Sequence, residues 1–400
     1  VLRWRLRLDW IIEQNSHFPL EKITPPILNI LRLALYQIFF LDRVPDSAAV
    51  NEAVNQSKTH GGKHVVSFVN GILRGVCRKR DEITFPDANS DPARYLSVFY
   101  SYPIWLVKKW TRDWGIDFTE GLLSAGNRIP DLNIRTNILR LGRHELIGRL
   151  EEEGMTAGAT PYSPQGISVE GLRGRPDELS SFKEGLFQVQ DQAAQITSHL
   201  LAPQPGENIL DICAGLGGKS THLAELMGDR GRVVALDISH RRLISLGRNS
   251  LRLGIECIRN LVADASKSLS SLFHFNFDKI MIDAPCSGFG VISRHPDGKW
   301  NRREADIDRL VLLQKGILGE AASILRSGGK MLYVTCTISK EENEEVVKDC
   351  LKRHRDMSLV NMKENVPEWC LDLIDDLGFL RTFPHVHHMD GFFAALFRKR

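Results

Sequence analysis

The chain has 400 residues, room for two or three domains, and 42% hydrophobic with 25% charged residues excludes a disordered or collagen-like chain. No apolar run is long enough to cross a bilayer, and the arginine-rich start lacks a signal-peptide pattern, so neither a membrane nor a secreted role is expected. A net charge of +3 does not announce a nucleic-acid binder, and seven cysteines without a C-x-x-C pair argue against a disulfide framework or a zinc site, pointing to a reducing cytoplasm and no metal.

The chain opens on valine, which predicts a natural start further upstream. Residues 1–80 read as all-helical. Ile27, Ile30, Leu31, Ala34, Leu35 and Ile38 recur at helical spacing, as do Val65, Phe68, Val69, Ile72, Leu73 and Val76. A polar linker over 81–91 leads to a helical stretch from about Pro92 to Trp114. Its rings, among them Tyr95, Phe99, Tyr102 and Trp110, are expected to pack a core rather than stack on bases. Residues 131–172 form a small α+β unit: a strand over Leu132–Thr136, a helix over Gly142–Glu152, then strands punctuated by Gly and Pro. Residues 121–150 carry Arg128, Arg135, Arg140, Arg143 and Arg149, read as candidates for phosphate contact.

From Gly185 apolar strands alternate with helices. The strands fall at Asn208–Ile212, Arg232–Ile238, Asn260–Val262, Lys279–Ile282 and Lys330–Val334, the signature of a doubly wound α/β sheet. Ligands of such sheets bind beyond the carboxyl ends of the strands. The first strand runs into Cys213-Ala214-Gly215-Leu216-Gly217-Gly218-Lys219, then a helix. Gly215 and Gly217 begin a dinucleotide fingerprint, but Ser220 stands where its third glycine belongs. Gly218-Lys219-Ser220 ends like a P-loop, but Cys213 replaces its first glycine. A turn for S-adenosylmethionine needs neither. Asp211, Asp237, Asp264 and Asp283 at four successive strand ends favour that third reading, with Asp237 facing ribose hydroxyls and Asp264 the adenine amino group.

Cys286 and Cys336 each follow a strand on the ligand edge. Carbon 5 of cytosine is too poor a nucleophile to take a methyl group directly. A thiolate adding to carbon 6 makes carbon 5 enamine-like, and later elimination restores the ring. Asp283 is the candidate to assist at ring nitrogen 3, and Lys219 with a helix N-terminus could favour the thiolate. Ser339 and Glu342 are expected to cap the following helix reciprocally. The residues alone leave open which cysteine is the nucleophile.

Asp283-Ala-Pro-Cys-Ser-Gly-Phe-Gly-Val-Ile-Ser-Arg-His-Pro-Asp-Gly-Lys-Trp300, Phe187-Gln-Val-Gln-Asp-Gln-Ala-Ala-Gln195, Tyr333-Val-Thr-Cys-Thr-Ile-Ser339 and Met389-Asp-Gly-Phe-Phe393 resemble the RsmB/Sun family of RNA cytosine-5 methyltransferases. Leu35–Ser47 and Phe68–Arg74 are similar to the NusB-like domain of its bacterial RsmB subgroup. The resemblance implies a Rossmann-like class I methyltransferase domain over 185–400. It is preceded by a NusB-like helical RNA-binding domain over 1–80, and by linker helices with a small α+β RNA-binding subdomain over 81–184. It implies S-adenosylmethionine as cofactor, a cytosine of small-subunit (16S) rRNA as substrate, and a monomeric cytoplasmic enzyme. It implies Cys336 as nucleophile, Cys286 as the cysteine assisting product release, and residues 213–219 with Asp237, Asp264 and Asp283 around the cofactor. The family loop reads Ala-Pro where this chain has Gly215-Leu216, which loosens the turn and is expected to weaken cofactor affinity. The alternative is a methyltransferase-like RNA-binding or ribosome-assembly factor with weakened catalysis. His385, His387 and His388 lack acid or cysteine partners in sequence and are not read as a metal site.

Overall fold

Apolar residues at helical spacing gather the N-terminal region into seven helices: α1 (Arg5–Asn15), α2 (Pro25–Phe40), α3 (Asp46–Ser57), α4 (Lys63–Arg78), α5 (Pro92–Tyr100), α6 (Ile104–Trp114) and α7 (Ile116–Gly126). The computed structural model describes residues 1–364 and 366–400. They fall into two units, one of Val1–Arg128 with His295–Asn301, the other of Ile129–Arg294 with Arg302–Arg400. In the first unit the six α2 stripe residues named above are all buried, together with Val69, Ile72, Leu73 and Val76 of α4. The helical stretch expected from Pro92 to Trp114 is two helices, α5 and α6. Ser101 takes a left-handed φ of 61°, and Pro103 bars Tyr102 from helical backbone. Tyr102 and Trp110 lie in the core with ring centroids 5.8 Å apart, so these rings pack rather than wait for bases.

The second unit opens with a small antiparallel sheet. Its strands are β1 (Leu132–Thr136), β2 (Thr156–Ala159), β3 (Gly166–Glu170) and β4 (Phe187–Val189), in the order β2-β3-β1-β4. Helix α8 (Arg143–Glu152) buries Leu146 and Leu150 against Ile134 and Ile167 of this sheet. The short α9 (Ser180–Lys183) precedes β4.

The larger sheet follows α10 (Gln192–Leu201). Along the chain come β5 (Asn208–Ile212), α11 (Gly218–Leu226), β6 (Arg232–Asp237), α12 (His240–Leu253), β7 (Ile258–Val262) and β8 (Phe277–Asp283). After α13 (Gly298–Asn301), part of the first unit, come α14 (Glu304–Ile324), β9 (Leu325–Thr335), α15 (Glu344–Arg353), β10 (Met357–Leu359), β11 (Leu380–Arg381), α16 (Pro384–His387) and β12 (Phe393–Lys399). The order is β10-β12-β9-β8-β5-β6-β7, with β11 on β12. Strands β5 to β9 pair in parallel, and β12 runs antiparallel to β9. The order reverses between β5 and β8, and a crevice opens at the carboxyl ends of strands at such a switch point. Each of these parallel strands contains the run predicted for it, except that β6 stops one residue short of Ile238.

Candidate active site

The turn after β5 is built from unusual backbone. Cys213, Gly215 and Gly217 have φ of 64°, 57° and 85°. At Gly217 glycine is required, because a Cβ there would lie 2.4 Å from Leu246 Cγ. The neighbouring strand fastens the turn: Asp237 Oδ2 accepts from the Gly215 N–H at 2.9 Å, and its Oδ1 accepts from the Ser239 N–H at 2.8 Å. Asp211 is fully buried, accepts from the Ser220 hydroxyl, and does not line the crevice. Burial pushes its carboxyl up to about 7, against the pull of that hydrogen bond. Of the four strand-end acids, this one braces the turn from behind.

A cavity of about 530 Å³ occupies the switch point, within the usual range for small-molecule sites. Cys213, Gly215, Asp237, Asp264, Asp283, Cys286 and Cys336 line it, with apolar walls from Leu236, Ile238 and Ile317. Asp264 Oδ1 accepts from the Ser266 hydroxyl and N–H at 2.7 and 2.9 Å, which holds its carboxyl below the ordinary range. Ala214 is buried behind the lining, Leu216 is 63% exposed, and Gly217 and Gly218 lead into α11. Lys219 is buried and its Nζ lies 2.7 Å from Asp283 Oδ2. Burial alone would push the Lys219 ammonium down, but the charge of Asp283, with smaller contributions from Cys336 and Asp211, holds it above its ordinary value.

The sulfurs of Cys286 and Cys336 lie 3.3 Å apart. The hydrogen bond to Cys336, reinforced by burial, drives the Cys286 thiol well above its ordinary range. Cys286 is therefore held as S–H. Burial likewise pushes the Cys213 thiol up to about 12, so this third cysteine of the cavity wall is no nucleophile at neutral pH. Two backbone crossings pin the loops: Gly290 N–H donates to Cys336 O at 3.0 Å, and Gly391 N–H to Gly290 O at 2.8 Å. A Cβ on Gly290 would overlap Gly391 O at 1.8 Å, which accounts for the glycines in both motifs.

The expected Ser339–Glu342 cap does not form. Helix α15 begins two residues after Glu342 with no side-chain cap, and the Ser339 hydroxyl bonds Glu341 at 2.8 Å. Glu342 instead turns into the interior. It accepts from the Ser287 N–H at 2.8 Å, the Ser287 hydroxyl at 2.5 Å and Gln314 Nε2 at 3.1 Å. Ser287 Oγ is also 2.7 Å from Thr337 Oγ1, so one carboxylate joins the residues that follow the two cysteines. Nor does local spacing single out Arg294, whose guanidinium bridges Asp390 at 2.8 Å and Asp191 at 2.7 Å, tying three motifs together. Their clustering in family-like segments was the only sequence signal. Arg135 overturns a different expectation. It is completely buried and ion-paired with Glu225 at 2.7 Å, so it is unavailable to phosphate. Among the described residues no group of three or more His, Cys, Asp or Glu is arranged to hold a metal ion.

A sheet with this strand order, carrying this turn and paired cysteines, has known counterparts. The family profile for 16S rRNA methyltransferase RsmB/F matches residues 198–398, that of the NusB family residues 1–78, and the RsmF/B-like ferredoxin-like domain residues 102–173. The chain belongs to the RsmB/F methyltransferase family. It is 34% identical over its whole length to the probable ribosomal RNA small subunit methyltransferase B of Bacillus subtilis, covering 88% of that protein. The Synechocystis counterpart of the same name is 37% identical over 100% of the chain and 89% of its own. The crystal structure of PH0851 superposes with a TM-score of 0.84 at 30% identity, over 100% of this chain and 88% of that one. In this RsmB/F member the NusB match covers α1 to α4, and the methyltransferase match spans the large sheet. Among the described residues no helix is long and apolar enough to cross a membrane.

Proposed function

We propose that this chain methylates carbon 5 of a cytosine in 16S rRNA, using S-adenosylmethionine and a covalent adduct through Cys336. The observation that carries the reading is the pair of sulfurs 3.3 Å apart on the wall of a cavity lined by three strand-end aspartates. The names of the relatives support the rRNA substrate, and with it a cytoplasmic location. The NusB-like helices and the small sheet are the parts we assign to RNA binding.

The residues fit that cofactor. Asp237 spends one lone pair of each oxygen on backbone N–H groups and keeps the others for ribose hydroxyls. Asp264 stands at the next strand end for the adenine amino group, and the turn from Cys213 to Lys219 passes the methionine part without a side chain at Gly215. Three carboxylates on the wall suit a cationic ligand. S-adenosylmethionine, when bound, supplies a methyl group activated on a sulfonium, which carbon 5 takes.

Cys336 Sγ adds as thiolate to carbon 6, forming the S–C bond. The ring π electrons shift toward carbon 5 and nitrogen 3, nitrogen 3 takes a proton from solvent, and the Asp283 carboxylate, itself paired with the Lys219 ammonium, accepts the resulting N–H. After the methyl is in place, water takes the carbon 5 proton, the C5–C6 double bond re-forms as Cys336 leaves as thiolate, and the nitrogen 3 proton returns to solvent. Cys286, kept as S–H beside the departing sulfur, donates to it and eases the expulsion. A protonated thiol suits that role and not the nucleophile's. The target base leaves its stack to reach the cavity.

The test is methyl transfer to 16S rRNA read by bisulfite sequencing. Cys336→Ala abolishes the 5-methylcytosine, and Cys286→Ala accumulates an RNA–protein adduct that survives a denaturing gel. Methylation by Cys336→Ala would overturn the assignment. The exposed Leu216 at the loosened turn favours the second reading, an RNA-binding assembly factor. Absence of S-adenosylmethionine binding in a calorimeter at millimolar concentration selects that reading.

A further inference from the structure

Arg135 lies on β1 of the small sheet, yet all five of its N–H groups point into the methyltransferase fold. Nε donates to Glu225 Oε2 at 3.1 Å. Nη1 donates to Gln190 Oε1 and to Gly218 O, the latter at 2.7 Å. Nη2 donates to Thr221 Oγ1 at 3.1 Å and Glu225 Oε1 at 2.7 Å. A guanidinium has five donors, so its capacity is exhausted and none remains for an outside ligand. Arg135 and Glu225 are both inaccessible to solvent.

All the acceptors but Gln190 Oε1 lie on one element. Gly218 and Thr221 form the first turn of α11, and Glu225 lies in its last turn. Thr221 also donates to Gly217 O at 2.7 Å, so the grip extends into the turn itself. A cation at a helix N-terminus opposes the helix dipole, and a buried ion pair adds little net stability over apolar residues of the same volume. What such a pair does supply is a fixed register. The register fixed here is that of the residue after Gly218, since Lys219 Nζ reaches Asp283 at 2.7 Å.

We propose that Arg135 is a positioning residue for the cofactor turn, acting through Gly218 and Lys219, and that it contacts no RNA. The small sheet, assigned above to RNA, thereby holds the turn assigned to S-adenosylmethionine. This rests on the cofactor reading made under Proposed function.

The experiment is calorimetric titration of the full chain with S-adenosylmethionine, beside steady-state kinetics and binding of a 16S rRNA fragment at several salt concentrations. The parent is titrated first; failure to bind would overturn the cofactor reading and this inference with it. Arg135→Met alone strands a buried carboxylate, so it is combined with Glu225→Leu, which removes both charges. Arg135→Lys is the second variant: it keeps the charge on Glu225 but has three donors for five bonds. In both, the Kd for S-adenosylmethionine rises at least tenfold and its KM rises in parallel. Expected alongside are a cooperative melt, kcat at saturating cofactor within threefold of the parent, and unchanged RNA affinity and salt slope. A cofactor Kd within twofold of the parent in either folded variant overturns the proposal. So does a loss of RNA affinity with a shallower salt slope at unchanged cofactor Kd, the signature of a phosphate ligand.

Discussion

Replacing Glu342 by alanine is expected to loosen both cysteine loops at once, and the size of the effect follows from its partners. Glu342 is buried, and its carboxylate accepts from the Ser287 N–H, the Ser287 hydroxyl and Gln314 Nε2. In Glu342→Ala the hydroxyl can turn fully to Thr337 Oγ1, already at 2.7 Å. The Ser287 N–H and one Gln314 N–H are left orphaned. Two orphaned buried donors at roughly 1–3 kcal/mol each, less the relief of no longer burying a carboxylate, leave a net cost of about 3 kcal/mol. At roughly 2–4 °C per kcal/mol for a unit of this size, the melting temperature falls by roughly 6–12 °C. Glu342→Gln keeps the same bonds with one reversed: the amide oxygen accepts from Ser287 N–H and Gln314, and its NH2 donates to Ser287 Oγ. That variant should lose less than about 1 kcal/mol. Scanning calorimetry of the three chains, with kcat measured on 16S rRNA, makes the comparison. The expected order is parent, Gln, Ala in both readouts, with the alanine variant more than tenfold slower. An alanine variant melting within a degree of the parent would refute the idea that this carboxylate holds the loops.

Asp211 has a folded pKa raised to about 7, chiefly by burial, so the native state binds its proton more tightly than the unfolded chain does. Its stabilising contribution is therefore full below pH 3.8 and is lost as pH rises through about 7, a change on the order of 4 kcal/mol at most. Urea melts of parent and Asp211→Asn between pH 5 and 8 should show a stability difference that shifts in favour of the asparagine variant as pH rises; parallel curves would count against it. Leu216 is 63% exposed, and its N–H makes no hydrogen bond among the described residues. Leu216→Pro, which stiffens the turn, should raise stability by about 0.5–1 kcal/mol and tighten S-adenosylmethionine in a calorimetric titration; weaker binding would show that this backbone rejects proline. In the helical unit the buried Lys299 donates to Arg3 O at 3.0 Å, Ser101 O at 3.2 Å and Asn127 Oδ1 at 2.7 Å, and lies 3.7 Å from the Tyr102 ring centroid. Lys299→Met orphans those acceptors at nearly constant volume and should cost about 2–4 kcal/mol by urea denaturation, with a change under 1 kcal/mol as the refuting result.

The order of elements, the parallel strands and the glycine turn were legible in the linear chain because each is written locally. Strand and helix periods show in a window of a dozen residues, and Gly217 announces a backbone that no side chain tolerates. The aspartates at successive strand ends were visible for the same reason, since a parallel sheet brings strand ends to one edge whatever the details of packing. Local pattern misled where a polar residue had two outlets. Glu342 has the spacing of a cap, but its partners are Ser287 and Gln314, 55 and 28 residues away. Arg135 resembles any arginine of a basic stretch, and only long-range packing against α11 and Gln190 gives its guanidinium five acceptors and no solvent. The same holds for the sulfurs. Chemistry in the sequence narrowed the nucleophile to two cysteines. That one of them is kept protonated by the other, 3.3 Å away, depends on β8 lying beside β9. Residue type and local spacing determine which groups a chain can offer; long-range packing decides which of them are desolvated and paired, and so which carry charge toward a ligand.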